Sequence, residues 1–145
     1  NYRNFELVVY FIAHGVKNID EDKLQQQIDF FKKYMKLDKV YIEPFRDGCY
    51  ASEEQLKLCR DIFNRNGIKT EGGITTSMPD PEGAKKKQRL FNVMCYNDEV
   101  MMNTLKSVCE MNAKVFDEFI IDDFFFTNFR NYVNMGYLEI KGEVL

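Results

Sequence analysis

Apolar residues fall along this chain in two rhythms: short continuous runs, and longer stretches at helical spacing. Phe5-Glu6-Leu7-Val8-Val9-Tyr10-Phe11-Ile12-Ala13 is a near-continuous run closed by His14-Gly15. It has the pattern of a strand covered on both faces. Asp20 then reads as a helix N-cap, with Ile19 and Leu24 at the spacing of a hydrophobic staple. Leu24, Ile28, Phe31 and Met35 share one helical face. Val40-Tyr41-Ile42-Glu43-Pro44 is a second strand, stopped by proline. Ser52 and Gln55 form a capping box that opens a second helix. Leu56, Cys59 and Phe63 line its buried side, and Gly67 ends it at the C′ position.

The third strand, residues 68–76, carries Gly72 and Gly73. Glycine inside a strand marks a close approach by another backbone or a ligand. A loop with Pro79, Pro81 and Gly83 follows, and Leu90 to Tyr96 reads as an extended excursion back towards the strand ends. Asn97 or Asp98 caps a third helix, whose core stripe is Met101, Leu105, Val108, Met111 or Asn112, and Val115. The segment Asp117-Glu118-Phe119-Ile120-Ile121-Asp122-Asp123-Phe124-Phe125-Phe126 is then a short buried strand that ends in two adjacent carboxylates. Beyond Phe129 only Tyr137-Leu138-Glu139-Ile140 alternates like a strand.

Repeated strand–helix steps imply a parallel sheet, because parallel neighbours need crossover helices. Two α/β architectures fit. One is a parallel (β/α)4 half of a TIM-type barrel, truncated relative to the ~250 residues of a whole barrel. The other is an open doubly wound sheet. With 145 residues and 45% hydrophobic content, the chain makes one domain, 1–145, with 129–145 as an unassigned tail. Neither Gly-x-Gly-x-x-Gly nor Gly-x-x-x-x-Gly-Lys-Ser/Thr occurs, so a nucleotide site loses its main support.

The net charge of −3 comes from interspersed residues, and Lys85-Lys86-Lys87, beside Gln88 and Arg89, is the one basic run. It reads as a solvated surface, and no nucleic-acid partner is expected. No apolar run approaches the ~20 residues of a membrane span. No signal peptide is visible, and the missing Met at position 1 points to a trimmed or internal piece of something longer. None of the four cysteines forms a Cys-x-x-Cys pair, which argues against structural zinc. Cys59 and Cys109 fall on apolar helix faces; Cys49 and Cys95 lie near strand ends. The compartment stays open on these residues.

In parallel α/β proteins ligands gather at the carboxyl ends of the strands. Acids there lose hydration and add nothing to a core, so Asp122 and Asp123 mark a candidate site. The same end gathers His14, Glu43, Arg46, Asp47, Thr75 and Thr76, with Tyr10, Phe45, Tyr50, Tyr96, Phe124 and Phe125 nearby. Carboxylates among aromatics suit carbohydrate chemistry: one acid protonates the leaving oxygen, and a second attacks the sugar or activates water. Arg46 beside Glu43 fits a salt bridge as well as a ligand contact. A metal site from His14, Glu43 and Asp122 or Asp123 has no supporting ligand spacing, and no metal or other cofactor is expected.

The succession Tyr41-Ile42-Glu43, Ser52-Glu53-Glu54-Gln55-Leu56, Gly72-Gly73-Ile74-Thr75-Thr76, Cys95-Tyr96-Asn97-Asp98 and Phe119 to Asn128 resembles the amino-terminal half of (β/α)-barrel glycoside-hydrolase-like proteins, of which gut bacteria carry many. The resemblance covers residues 5 to 128. It implies a parent that hydrolyses glycosidic bonds, with Asp122 or Asp123 at the end of strand four as the catalytic acid or nucleophile. His14, Glu43, Arg46 and Tyr96 would position the sugar. It also implies a periplasmic or secreted setting. Strands five to eight are missing, and with them any partner carboxylate on a later strand. A half-barrel has unpaired edges, so self-association is expected. Two other readings stand beside this one. One is a non-catalytic carbohydrate-binding or interaction module, and the other is a flavodoxin-like sheet for a small anion.

Overall fold

The computed structural model describes residues 4–78, 92–96 and 98–122. The expected Pro79–Gly83 loop, the lysine run, Asn97, Asp123, the aromatics after it and the 129–145 tail lie outside the described residues. Strands β1 (Val8–Phe11), β2 (Lys39–Ile42), β3 (Phe45–Arg46), β4 (Cys49–Tyr50), β5 (Lys69–Thr75) and β6 (Phe119–Asp122) occur with helices α1 (Ala13–Lys17), α2 (Glu21–Tyr34), α3 (Glu53–Arg65) and α4 (Glu99–Val115).

The helix boundaries follow local chemistry. The Asp20 carboxylate accepts from the Lys23 N–H at 3.0 Å. The Ser52 hydroxyl accepts from the Gln55 N–H at 3.2 Å while the Gln55 side chain accepts from the Ser52 N–H at 2.8 Å, which completes the capping box. Asp98, not Asn97, is the cap of α4, and its carboxylate accepts from the Met101 N–H at 3.0 Å. Gly67, at φ +75°, takes the left-handed turn that ends α3.

Four strands pair in parallel in the order β1-β2-β5-β6, which is chain order without reversal. Phe11, Ile42, Gly72 and Phe119 share one level of the register. Side chains alternate along each strand, so these residues also share a face. That face carries the helices. Phe11 meets Phe63 of α3 edge-on at 5.8 Å, and Val40 and Ile42 pack with Leu24, Ile28, Leu56, Cys59 and Ile62 in one cluster. Ile74 packs with Leu105 and Val108 of α4 in a second. The fold is thus a parallel α/β sheet of consecutive strand–helix units.

Three expectations change. The first strand is only Val8–Phe11, and Phe5 and Val8 are exposed. It is an end strand of the described sheet and, among the described residues, no layer covers its second face. Its last apolar residues enter α1 instead. The α2 stripe is buried only at Leu24 and Ile28; Phe31 and Met35 are exposed and border a groove with Leu37 and Ile68. Finally, the segment after β2 forms a hairpin, β3–β4, which periodicity missed. Its signal was the Asp47-Gly48 dipeptide. Both residues have positive φ, 49° and 79°, as a tight hairpin turn demands.

Candidate functional site

The face opposite the helices holds the polar strand residues. Lys39, Tyr41, Lys69, Glu71, Gly73, Ile120 and Asp122 follow from the alternation. At its lower end Glu71 is held by Lys39 at 2.7 Å and Lys69 at 2.9 Å. The carboxyl ends of the strands form the upper end.

Glu43 follows β2 directly. Its N–H bonds to the Phe11 carbonyl at 3.0 Å, which fixes the residue against the neighbouring strand. Its side chain is 0% exposed. One carboxylate oxygen accepts from the Ala13 N–H and from Arg46 Nε, and the other accepts from Arg46 Nη2, each at 2.9 Å. This bidentate pair plus a backbone donor satisfies a buried carboxylate. Pro44 stops the strand, and the hairpin brings Arg46 back over Glu43. The tip of that hairpin is tied down in turn: the Asp47 N–H bonds to the Ser77 carbonyl at 3.3 Å, and the Asp47 carboxylate accepts from the Ser77 hydroxyl.

Tyr10 points into the same region. A Cβ added at Gly73 would lie 2.7 Å from the Tyr10 hydroxyl, so the missing side chain there is what admits the ring. Burial first, then the charge and proximity of Glu43, push the Tyr10 pKa far above its ordinary value; Arg46 opposes this and Asp122 adds to it. The phenol therefore keeps its proton. Its oxygen is buried and makes no hydrogen bond of regular geometry, although the Glu43 carboxylate is near. Gly72 faces the other way, where a side chain would collide with Asn112 of α4. The glycine pair therefore serves two close approaches, one on each face.

Asp122 ends β6 in register with Thr75 of β5. Two readings of this strand need correction. It is not a buried strand, because β6 is an end strand of the described sheet and its residues are half-buried or exposed. Asp122 is exposed, so it has not been stripped of water; the desolvated acid is Glu43.

The remaining candidates are placed as follows. His14 is exposed on α1, next to the Ala13 N–H that binds Glu43. Tyr96 is half-buried against the second core cluster. Thr75 and Thr76 are buried. Asp123 lies outside the described residues. The structure thus joins Glu43 and Arg46 tightly, brings Tyr10 near Glu43 and sets Asp122 at the same end of the same face. Among the described residues no group of three His, Cys, Asp or Glu side chains could hold a metal ion. All four cysteines are free thiols, and burial pushes Cys59 up to about 12.

Tyr10 was expected near the strand ends, whereas the Lys39–Glu71–Lys69 cluster was missed. Part of the signal was available: Lys39, Tyr41 and Glu43 alternate against Val40 and Ile42, but in β5 Thr70 and Gly72 stand between Lys69, Glu71 and Gly73 and blur the alternation.

A family model described as "Probable glycosyl hydrolase, catalytic domain" matches residues 1–136. An uncharacterized protein of Saccharolobus solfataricus is 31% identical over 122 residues, which is 84% of this chain and 20% of that relative. The chain therefore spans about one fifth of the relative's length. Neither match points to gut bacteria. No solved structure matches the chain.

Proposed function

Because this chain belongs to the family of probable glycosyl hydrolase catalytic domains, we propose that it supplies the first four strand–helix units of a TIM-type barrel, truncated relative to the whole, whose parent protein hydrolyses glycosidic bonds. The observation that carries this reading is the end of β6. Asp122 stands there on the same face as the buried Glu43–Arg46 pair.

The two acids would divide the work by environment. Both oxygens of Glu43 already accept hydrogen bonds, from Arg46 and from the Ala13 N–H. It is suited to hold Arg46 in place, not to deliver a proton. Asp122 is exposed and can meet a sugar. Asp122, or Asp123 beside it, would act as nucleophile or general acid, with a partner carboxylate from another part of the parent. Arg46, His14 and Tyr96 would position the sugar, and Glu43 would do so through Arg46. No metal or other cofactor enters this scheme.

The test is hydrolysis of a panel of 4-nitrophenyl glycosides by the longest natural protein that carries this chain. Asp122→Asn or Asp123→Asn should lower kcat at least about a hundredfold on the preferred substrate. Unchanged rates in both variants remove the role. Sugar binding without turnover selects the non-catalytic carbohydrate-binding module instead.

The isolated chain should also associate with itself, because β1 and β6 are the ends of the described sheet and unpaired strand edges recruit partners. Light scattering that returns a stable monomer at micromolar concentration would end that idea.

A further inference from the structure

Tyr10 has no part in the two-carboxylate scheme, yet the fold makes room for it at some expense. Gly73 lies inside β5, where glycine weakens a strand. A Cβ there would sit 2.7 Å from both Cζ and the hydroxyl oxygen of Tyr10, closer than ordinary packing allows. The ring also lies 6.3 Å from that of Tyr41, so its plane is held from a second side. Such a slot fixes the hydroxyl at one place.

That place is chemically particular. Glu43 is beside the hydroxyl, and the charges of Arg46 and Asp122 also act on it. Its oxygen is out of contact with solvent and lacks a regular hydrogen bond. A buried donor left unpaired destabilises the fold by about 1–3 kcal/mol, so it is seldom retained without use. Glu43 is the neighbouring acceptor, but three donors already hold its carboxylate (Arg46 Nε, Arg46 Nη2 and the Ala13 N–H), and the Tyr10 hydroxyl reaches it without a bond of regular geometry.

We infer that Tyr10 is a substrate-binding residue whose hydroxyl donates a hydrogen bond to one hydroxyl group of the sugar seated between Glu43 and Asp122. The role rests on the glycosidase reading above and adds to it the side chain that recognises that hydroxyl. A phenol that keeps its proton next to carboxylates is a donor. A sugar hydroxyl can accept from it and then donate onward to Asp122. Gly73 acts one step behind, by leaving the space in which Tyr10 stands.

The experiment compares the parent protein with its Tyr10→Phe variant. Substrates are the 4-nitrophenyl glycoside turned over fastest and its monodeoxy analogues, each lacking one hydroxyl. Tyr10→Phe keeps the ring and its packing. The expected result is a KM raised about tenfold with kcat nearly unchanged, as for loss of one neutral hydrogen bond made equally in ground and transition states. On one monodeoxy analogue the wild type and the variant should become equal. Gly73→Ala, which pushes the ring aside, should reproduce the KM effect. An equal KM for wild type and Tyr10→Phe on every substrate overturns the role of Tyr10 while leaving the glycosidase reading in place. So does a uniform fall in kcat on all analogues, which would mark a purely structural tyrosine. No turnover of any glycoside by the wild type overturns both.

Discussion

On the helix-covered face of the sheet Val40, Ile42 and Ile74 are fully buried, whereas on the opposite face burial is confined to the centre, at Glu43, Glu71 and Thr75, while Tyr10, Tyr41 and Ile120 stay half-buried and Asp122 is exposed. The same four strands build both faces. The first is apolar, closed and organised by packing against α2, α3 and α4. The second is organised by pairs of charges: Glu43 with Arg46 above, and Glu71 with Lys39 and Lys69 below. Stability and candidate chemistry are thus separated across the thickness of one sheet. A strand can serve both because its side chains alternate.

Substitutions on the two faces should sharpen or break this division. The largest loss is expected at the upper charge pair. Arg46→Ala leaves a fully buried carboxylate with only the Ala13 N–H as partner. That should destabilise the chain by about 3–5 kcal/mol in urea unfolding. A loss below about 1 kcal/mol would mean that Glu43 reaches water once Arg46 is gone.

Next come matched truncations across the sheet. Ile42→Ala on the helix side should lose about 3 kcal/mol, and Ile120→Ala on the open side about 1 kcal/mol. Equal losses would show that the open face is covered as tightly as the other.

The smallest effect concerns acid. Burial raises the Glu71 carboxyl pKa, but Lys39 and Lys69 outweigh it, so the net shift is below the ordinary 4.5. The folded state therefore holds this proton less tightly than the unfolded state. Its contribution is complete above about 4.5 and fades as pH falls through the lower folded value. Thermal melts of Glu71→Gln from pH 5 downward, a range chosen around the ~4.5 reference, should show a shallower fall in Tm than the wild type. Parallel curves would contradict the ion cluster.

The same division explains what could be read early. Asp122 was legible as an acid ending an apolar run. Its exposure was not, because nothing local says that β6 ends the described sheet. The Glu43–Arg46 pair was one of two open readings for neighbours three apart, and the backbone contact from Ala13, thirty residues away, decided its geometry. Gly72 and Gly73 signalled close approach, but not by whom. Asn112 and Tyr10 come from distant parts of the chain.

The chain by itself determined its helix N-caps, the buried stripes of α3 and α4 and the order of its four parallel strands. These depend on contacts between residues three or four apart and on alternation within one strand, which any short segment carries with it. Tertiary structure alone decided which strand face stays open, that Glu43 rather than Asp122 gives up its water, and that Tyr10 stands over Gly73. Each of those depends on residues that become neighbours only when β1, β2, β5 and β6 align in register.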